Sequence, residues 1–510
     1  MSIISSLRSN AAALNVQSAA TRVAGENIAN VNDASYARKR AIFGEKQIFH
    51  AAGLVQTGSI NLERIEQVRD QVLDRQIVRE SMSRYSLEAK KKFLDRVETA
   101  YGEKISRDDA LDTLGSGDEA STTADGISKN LDDFFNVFSE LASSPTSQAL
   151  KEEVMTKAST LVDKFNDTAN TLEDLSADLK WNLENDLEDV NRILGEIAVL
   201  NDKIGSFEVA DFGSATDTRD ERQKKIEELA QKINFEVTQN TSNPSMVDIE
   251  MRDSLGHKAK VVRGSTFSSQ LSLDPNNNTI TYPKTSSSIE ITGGSIHGML
   301  AVRKDSIPAL QQEIDQIAHQ LVLSVNAAYN PEYDDGLSPG PDFVTTGDFF
   351  VRPPTGTSVT AATIALDTQP QQPQAFPSPP HDAVVPLSAA TIKASNQEDG
   401  GNEIALAVAA ISEYRYDGAN SDEFFTGTFT EFIAGVTTRV GNEVVSTEEK
   451  LNNQEAIDEF LEMQRQSHSG VNLDEELTNL LQFQRSFQGT SRVINVLDSL
   501  LELVVSGLVR

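Results

Sequence analysis

The chain has 510 residues, 77 acidic against 45 basic side chains, a formal charge of −32 and no cysteine. That balance argues against a nucleic-acid surface, which needs clustered Lys and Arg to neutralise phosphates, and the missing thiols exclude disulfides and thiolate metal sites. The length exceeds what one compact core organises, so roughly three or four domains are expected.

The first predicted element is an amphipathic helix in which Ile3, Leu7, Leu14, Ile28 and Val31 keep 3/4 spacing, with Asn10, Gln17 and Thr21 in the same register. It is alanine-rich and thin on large apolar residues, so it is marginal alone and expected to order on docking. With one early cation, Arg8, and no adequate apolar core, it does not read as a cleavable secretion signal. Asn30 to Ser35 is a turn cluster, Tyr36 to Ile60 reads as short strands punctuated by Gly44, Gly53 and Gly58, and a helical pattern is expected from Asn61 to about Tyr101. The stretch from Ser106 to Ser128 is loop-like.

Helical periodicity resumes at Leu131, pauses at Ser143-Ser144-Pro145, and runs from Gln148 to Ile204 through Phe165, Leu172, Leu179, Leu187 and Ile197. This is either one rod of roughly 85 Å or, since the stripe shifts between Leu179 and Leu187, two packed helices. A third helix, Asp217 to Ile233, hands over to β signals at Phe235, Val247 to Met251, Ala259 to Val262 and Thr279 to Tyr282, with helix returning from Ser295 to Tyr329. Residues 336–399 are rich in Gly and Pro, and 369–386 read as an exposed proline-rich linker. Further helices begin near Glu403 and Thr447.

At the C-terminus Leu473, Leu480, Phe487, Ile494, Leu501 and Leu508 recur every seven residues, flanked by Leu477, Phe483, Leu497 and Val504. No transmembrane helix is expected, because the most apolar tail is broken by Asn495, Asp498 and Glu502. A seam of this period buries itself against a second helix, so the two ends are expected to pack together or against neighbouring copies. Polar seam positions at Asn10, Gln17, Gln484 and Ser491 cost stability and fix register. The chain is therefore a candidate assembly subunit.

The fold class expected is α+β, multidomain and elongated, with terminal α-helical coiled-coil segments, a long helical bundle and β-rich outer insertions. The boundaries are 1–31 with 472–510 for the paired terminal helices, 32–231 with 293–335 and 400–471 for a mainly helical rod-like domain, 232–292 for a β-rich outer domain, and 336–399 for a Gly/Pro-rich outer region.

Nothing in the sequence argues for catalysis. Gly336-Leu-Ser-Pro-Gly340 fits a serine-hydrolase pattern, but Pro339 has no N–H to lend to an oxyanion hole. The six histidines are scattered with no zinc-binding pair, and Asp334, Asp335 and Asp342 lack the spacing of a calcium loop. No catalytic residue, metal or cofactor is expected.

The N-terminal run Asn27-Ile28-Ala29-Asn30-Val31-Asn32, followed by Tyr36-Ala-Arg38, resembles the signature of the rod, hook and hook-associated axial proteins of the bacterial flagellum, with Asp33-Ala34-Ser35 in place of the usual Thr-Pro/Glu-Gly. Val471-Asn472-Leu473-Asp474-Glu475, with Leu480, Phe483-Gln484 and Phe487-Gln488, is similar to the ending of the hook-associated protein 1 family. Val68 to Gln76, Asp217-Thr-Arg-Asp220, and Gly293-Gly294 with Gly298, Arg303 and Asn326 resemble internal motifs of that family.

The resemblance implies a structural subunit joining hook to filament, found extracellularly at the hook-filament junction. Its terminal helices would line an inner tube and its outer domains would pack sideways. Implied partners are further copies in a ring or helical layer, the hook protein, a second junction protein towards the filament and a cytoplasmic export chaperone on the C-terminal helix. Neither nucleic acid nor membrane insertion is implied, and export would use the flagellar type III apparatus. The alternatives are another axial protein of hook or rod type, or a secreted adhesin or hydrolase acting through residues 235–292 and 336–400.

Overall fold

The computed structural model describes residues 3–33, 35–49, 55–102, 126–208, 215–274, 278–284, 288–329, 348–351, 358–368, 387–388, 392–394, 401–418 and 423–508. The hydrolase-like pattern at 336–340, the aspartates at 334, 335 and 342, and the segment 369–386 lie outside them. The described chain is mainly helical with small antiparallel sheets, so the α+β class stands.

Helix α1 spans Ile3–Ala29, and strands β1 (Lys39–Phe49) and β2 (Val55–Gln67) pair antiparallel as a long hairpin. Here the expectation is corrected. The helix thought to start at Asn61 starts only with α2, Gln71–Tyr101, and Ile65 lies opposite Ala41 in the hairpin. The Asp70 carboxylate accepts the N–H groups of Val72 and Leu73, an N-terminal cap that sets the true start.

Helix α3 covers Ile127–Ser143 and α4 covers Gln148–Phe207, one unbroken helix of 60 residues. The single-rod alternative is therefore the observed one. The chain divides into two compact units inside this helix, at Leu183 and Glu184, where its stripe shifts. After α5 (Thr216–Lys232), strands β3 (Glu236–Gln239), β4 (Val247–Arg252), β5 (Lys258–Arg263) and β6 (Thr266–Phe267) form one antiparallel sheet in sequence order. Strands β7 (Ser272–Asp274), β8 (Thr279–Thr281) and β9 (Ser288–Ile289) form a second.

Helix α6 (Gly294–Ala301) runs through a π turn, Val302–Ser306, into α7, Ile307–Tyr329. Pro308, which brings no N–H to the ladder, follows directly after this wider turn, in which the Ile307 N–H donates to the Val302 carbonyl. Helices α8 (Glu403–Ala410), α9 (Phe429–Ser469) and α10 (Leu473–Leu508) complete the chain.

The first unit holds 1–88, 184–298 and 450–510, and the second holds 89–183 and 299–449. The core of the second unit contains an aromatic cluster: Phe134 meets Phe138 at 5.1 Å and Phe349 at 5.7 Å between ring centroids, and Tyr329 meets Phe349 at 5.4 Å. Phe349 and Phe350 are fully buried. They fall in the stretch expected to be an outer region, so its described residues are in part core. Asn326 explains how, since its amide donates to the Phe350 carbonyl and its side-chain oxygen accepts the N–H groups of Phe349 and Phe350.

In the first unit, Asn201 and Arg222 fix the β-rich stretch to the helices. The Asn201 amide donates to the carbonyls of Val247 and Gly264, while Arg222 donates to the Asn201 oxygen and the Ser245 carbonyl. Gly294 sits at φ +78°, where an added Cβ would run into the Lys232–Ile233 backbone. The two-glycine helix start is thus a requirement of close approach between α6 and the end of α5.

Candidate assembly interface

The two ends of the chain meet. Helices α1 and α10 pack along one another, and both strands of the hairpin pack on α1. Gln17 Nε2 donates to Thr490 Oγ1 at 3.2 Å, while Arg38, past the end of α1, reaches Glu475 and Glu476 at the start of α10. The two helices therefore run antiparallel. A polar residue inside the seam fixes its register, as expected of Gln17.

The burial pattern corrects the expected faces. On α1 the fully buried side chains are Val16, Ala20, Val23, Ala24 and Asn27, whereas Leu7, Leu14, Ile28 and Val31 are only half-buried; nothing is described of the Ile3 side chain. Ala20 and Ala24 thus belong to the interior of α1 although they carry little apolar surface. On α10, Leu480, Phe483, Ile494, Leu497 and Leu501 are half-buried, and Leu473, Leu477, Phe487 and Val504 are exposed; the Leu508 side chain is outside the description.

A second apolar strip on α10 was missed. Val493, Val496, Leu500 and Leu503 keep 3/4 spacing one register over, and Leu503 is 70 % exposed. The signal was present in the sequence, but the single heptad stripe absorbed the reading. Helix α10 is apolar on more than one side, and one partner helix covers one side only.

The signature residues converge on a polar junction at the base of this pair. Asn27 is fully buried: its amide donates to the Lys39 carbonyl, and its oxygen accepts the Lys39 N–H and the Tyr36 hydroxyl, each at 2.9 Å. The Asp33 carboxylate accepts both the N–H and the hydroxyl of Ser35, so the departure from the usual signature is a self-capped turn that still delivers Tyr36. Ala29, Asn30, Val31 and Asn32 carry the helix end and the turn. Burial pushes the Tyr36 phenol well above its ordinary range.

Lys39, with its side chain buried, pairs with Glu26 and Asp217. Arg69 donates to the Ser35 carbonyl at 2.7 Å and pairs with Asp220 at 2.9 Å and Asp74 at 3.3 Å. Burial raises the Asp220 carboxyl to about 6, against the opposing pull of Arg69 and Lys39, and burial also raises Asp74. Three motifs read separately in the sequence, at Asn27 to Arg38, Val68 to Gln76 and Asp217 to Asp220, therefore form one network.

At the start of α10, Asn472 accepts the N–H groups of Asp474 and Glu475, and Val471 sits in the short link from α9. Among the described residues no group of three His, Asp or Glu side chains is placed to hold a metal, and no helix is long and apolar enough to cross a membrane.

Comparison with known proteins agrees with this geometry. Residues 119–344 match the family profile described as the flagellar hook-associated protein FlgK helical domain, and residues 464–506 match the C-terminal domain of flagellar basal body rod FlgEFG proteins. The flagellar hook-associated protein 1 of Bacillus subtilis is 24 % identical, covering 97 % of this chain and 96 % of its own length. That of Escherichia coli is 23 % identical, covering 99 % and 100 %. The structure of the flagellar hook junction protein FlgK from Burkholderia pseudomallei superposes with a TM-score of 0.55 at 14 % identity, covering 77 % of this chain and 100 % of that one.

Proposed function

The chain belongs to the flagellar hook-associated protein 1 family, and on that premise we propose that it is a structural, non-enzymatic subunit of the bacterial flagellum that joins hook to filament. The observation that carries this reading is the terminal pair: α1 and α10 hold each other in register while α10 keeps an apolar strip facing solvent. A soluble subunit has little reason to display such a strip unless another chain covers it. Each large apolar side chain buried there contributes roughly 1.5–3 kcal/mol, so a few residues per copy supply a strong, collective contact.

In this reading the chain is exported through the flagellar type III apparatus, a cytoplasmic chaperone covers the α10 strip before export, and neighbouring copies cover it afterwards. One face cannot be buried twice, so the two roles are sequential. Copies associate in a ring or helical layer between the hook protein and a second junction protein, at the cell exterior. The test is electron microscopy and motility of cells lacking the chain. Hooks without filaments, with flagellin shed into the medium, are expected; intact filaments would reject the junction role.

A further inference from the structure

Helix α10 is joined to α9 by three residues only, 470–472, and a short link between two long helices does not by itself set the angle between them. Local bonding at this corner fixes each helix end separately. The Gly470 N–H donates to the Gln466 carbonyl at 2.9 Å, and a side chain at Gly470 would run into that carbonyl. The Asn472 carbonyl and side chain take the first N–H groups of α10. Neither cap reaches across the corner.

Arg38 does. Its backbone N–H donates to the Ser469 carbonyl, the last of α9, at 3.0 Å, and its own carbonyl accepts the Val68 N–H ahead of α2 at 2.8 Å. Its guanidinium donates from Nε to Glu476 Oε1 at 2.7 Å and pairs through Nη1 with Glu475 Oε2 at 3.0 Å. The Glu476 side chain is 4 % exposed, so this contact is made largely out of water, where a hydrogen-bonded charge pair is stronger and more directional than on a surface. One residue thus ties the end of α9 through its backbone and the start of α10 through its side chain.

We infer that Arg38 is a positioning residue that, together with the packing of α10 along α1, sets the direction of α10 away from α9, and with it the direction in which the apolar strip is presented for assembly. The planar guanidinium matters as well as the charge. Its fork engages two successive carboxylates on the first turn of α10, which fixes the rotation of that helix about its own axis; a lysine ammonium would hold one carboxylate at a time. The acidic first turn, Asp474 to Glu476, is in addition the sign that suits a helix N-terminus, which offsets part of the cost of placing these carboxylates side by side. The inference rests on the proposed function only for what the direction is used for.

The absence of cysteine allows a direct test in the full chain. Spin labels on cysteines introduced at the exposed positions Asn452 on α9 and Gln488 on α10 report the corner as a distance distribution. A narrow distribution is expected for the parent, and a broadened or shifted one for Arg38→Gln. Glu475→Gln, at a 58 % exposed side chain, is the milder variant and is expected to broaden it less, with the fold intact by circular dichroism. Arg38→Lys keeps the charge but holds one carboxylate at a time, so it is expected to leave a distribution broader than the parental one but narrower than that of Arg38→Gln; a parental width for Arg38→Lys would reject the role of the planar fork. An unchanged distribution in both Arg38→Gln and Glu475→Gln overturns the inference. A variant whose distribution is broadened but whose cells still grow filaments at the parental frequency overturns the claim that this direction serves assembly, while the junction role itself stands or falls by the deletion phenotype.

Discussion

At the residue scale, burial and backbone shape decide which single changes are tolerated. Gly294 combines a positive φ with a backbone neighbour where Cβ would go, so Gly294→Ala is expected to cost at least about 2–3 kcal/mol, read from the urea midpoint. A change within experimental error would mean that α6 and the end of α5 can separate. Asp220 makes a prediction in pH. Its carboxyl titrates near 6 in the folded chain because burial outweighs Arg69 and Lys39, whereas in the unfolded chain it titrates near its ordinary value. The folded state thus holds the proton more tightly, and the contribution is fully present below the unfolded value and is lost as pH rises through about 6. The melting temperature of the parent, relative to that of Asp220→Asn, is therefore expected to rise as pH falls from 7 to 5. A difference that stays flat over that window would place the titration elsewhere in the junction.

At the element scale, the two sides of α10 separate fold from assembly. Leu480 and Leu497 are half-buried, whereas Val496 and Leu503 are exposed, on a helix that packs along α1. Leu497→Asp is expected to loosen the terminal pair in the purified chain, seen as faster proteolysis of both ends. Leu503→Asp is expected to leave proteolysis and melting unchanged and to abolish filament growth. Equal effects of the two on the isolated chain would refute the division into an inner and an outer side. Much of this was legible in the sequence. The heptad spacing located both terminal helices, and the alternating segments at 247–251 and 259–262 became β4 and β5 almost to the residue. What was not legible has a physical cause in each case. Alanine gives little hydrophobic signal, yet Ala20 and Ala24 are among the buried residues of α1, so the interior of that helix is not marked by large apolar side chains. Ile65 and Val68 keep a spacing of three that suits a helix, yet Ile65 pairs with Ala41 in the hairpin and the Asp70 cap starts the helix only after Val68. Phe349 and Phe350 lie in a Gly/Pro-rich stretch that reads as an outer region, and it is Asn326, on helix α7, that holds them in the core. The polar junction was visible only as separate motifs, because a network that closes between residues 27 and 220 has no period.

At the scale of the whole molecule, a formal charge of −32 sets a repulsion between copies that the apolar strip must overcome. The two act over different ranges. Apolar contact works at van der Waals distance and varies little with modest salt, while repulsion between net charges extends over the Debye length, about 30 Å at 0.01 M and about 8 Å at 0.15 M ionic strength. Ion pairs inside the fold, such as Lys39 with Glu26 and Arg69 with Asp220, are shielded from that screening by burial. Raising salt should therefore weaken repulsion between copies more than it weakens the subunit. Sedimentation of the purified chain is expected to show more self-association at 0.15 M than at 0.01 M NaCl, and Leu503→Asp is expected to remove it at both. If salt instead dissolves the oligomers, the contact between copies is made by ion pairs, and the solvent-facing strip of α10 is not what holds them together.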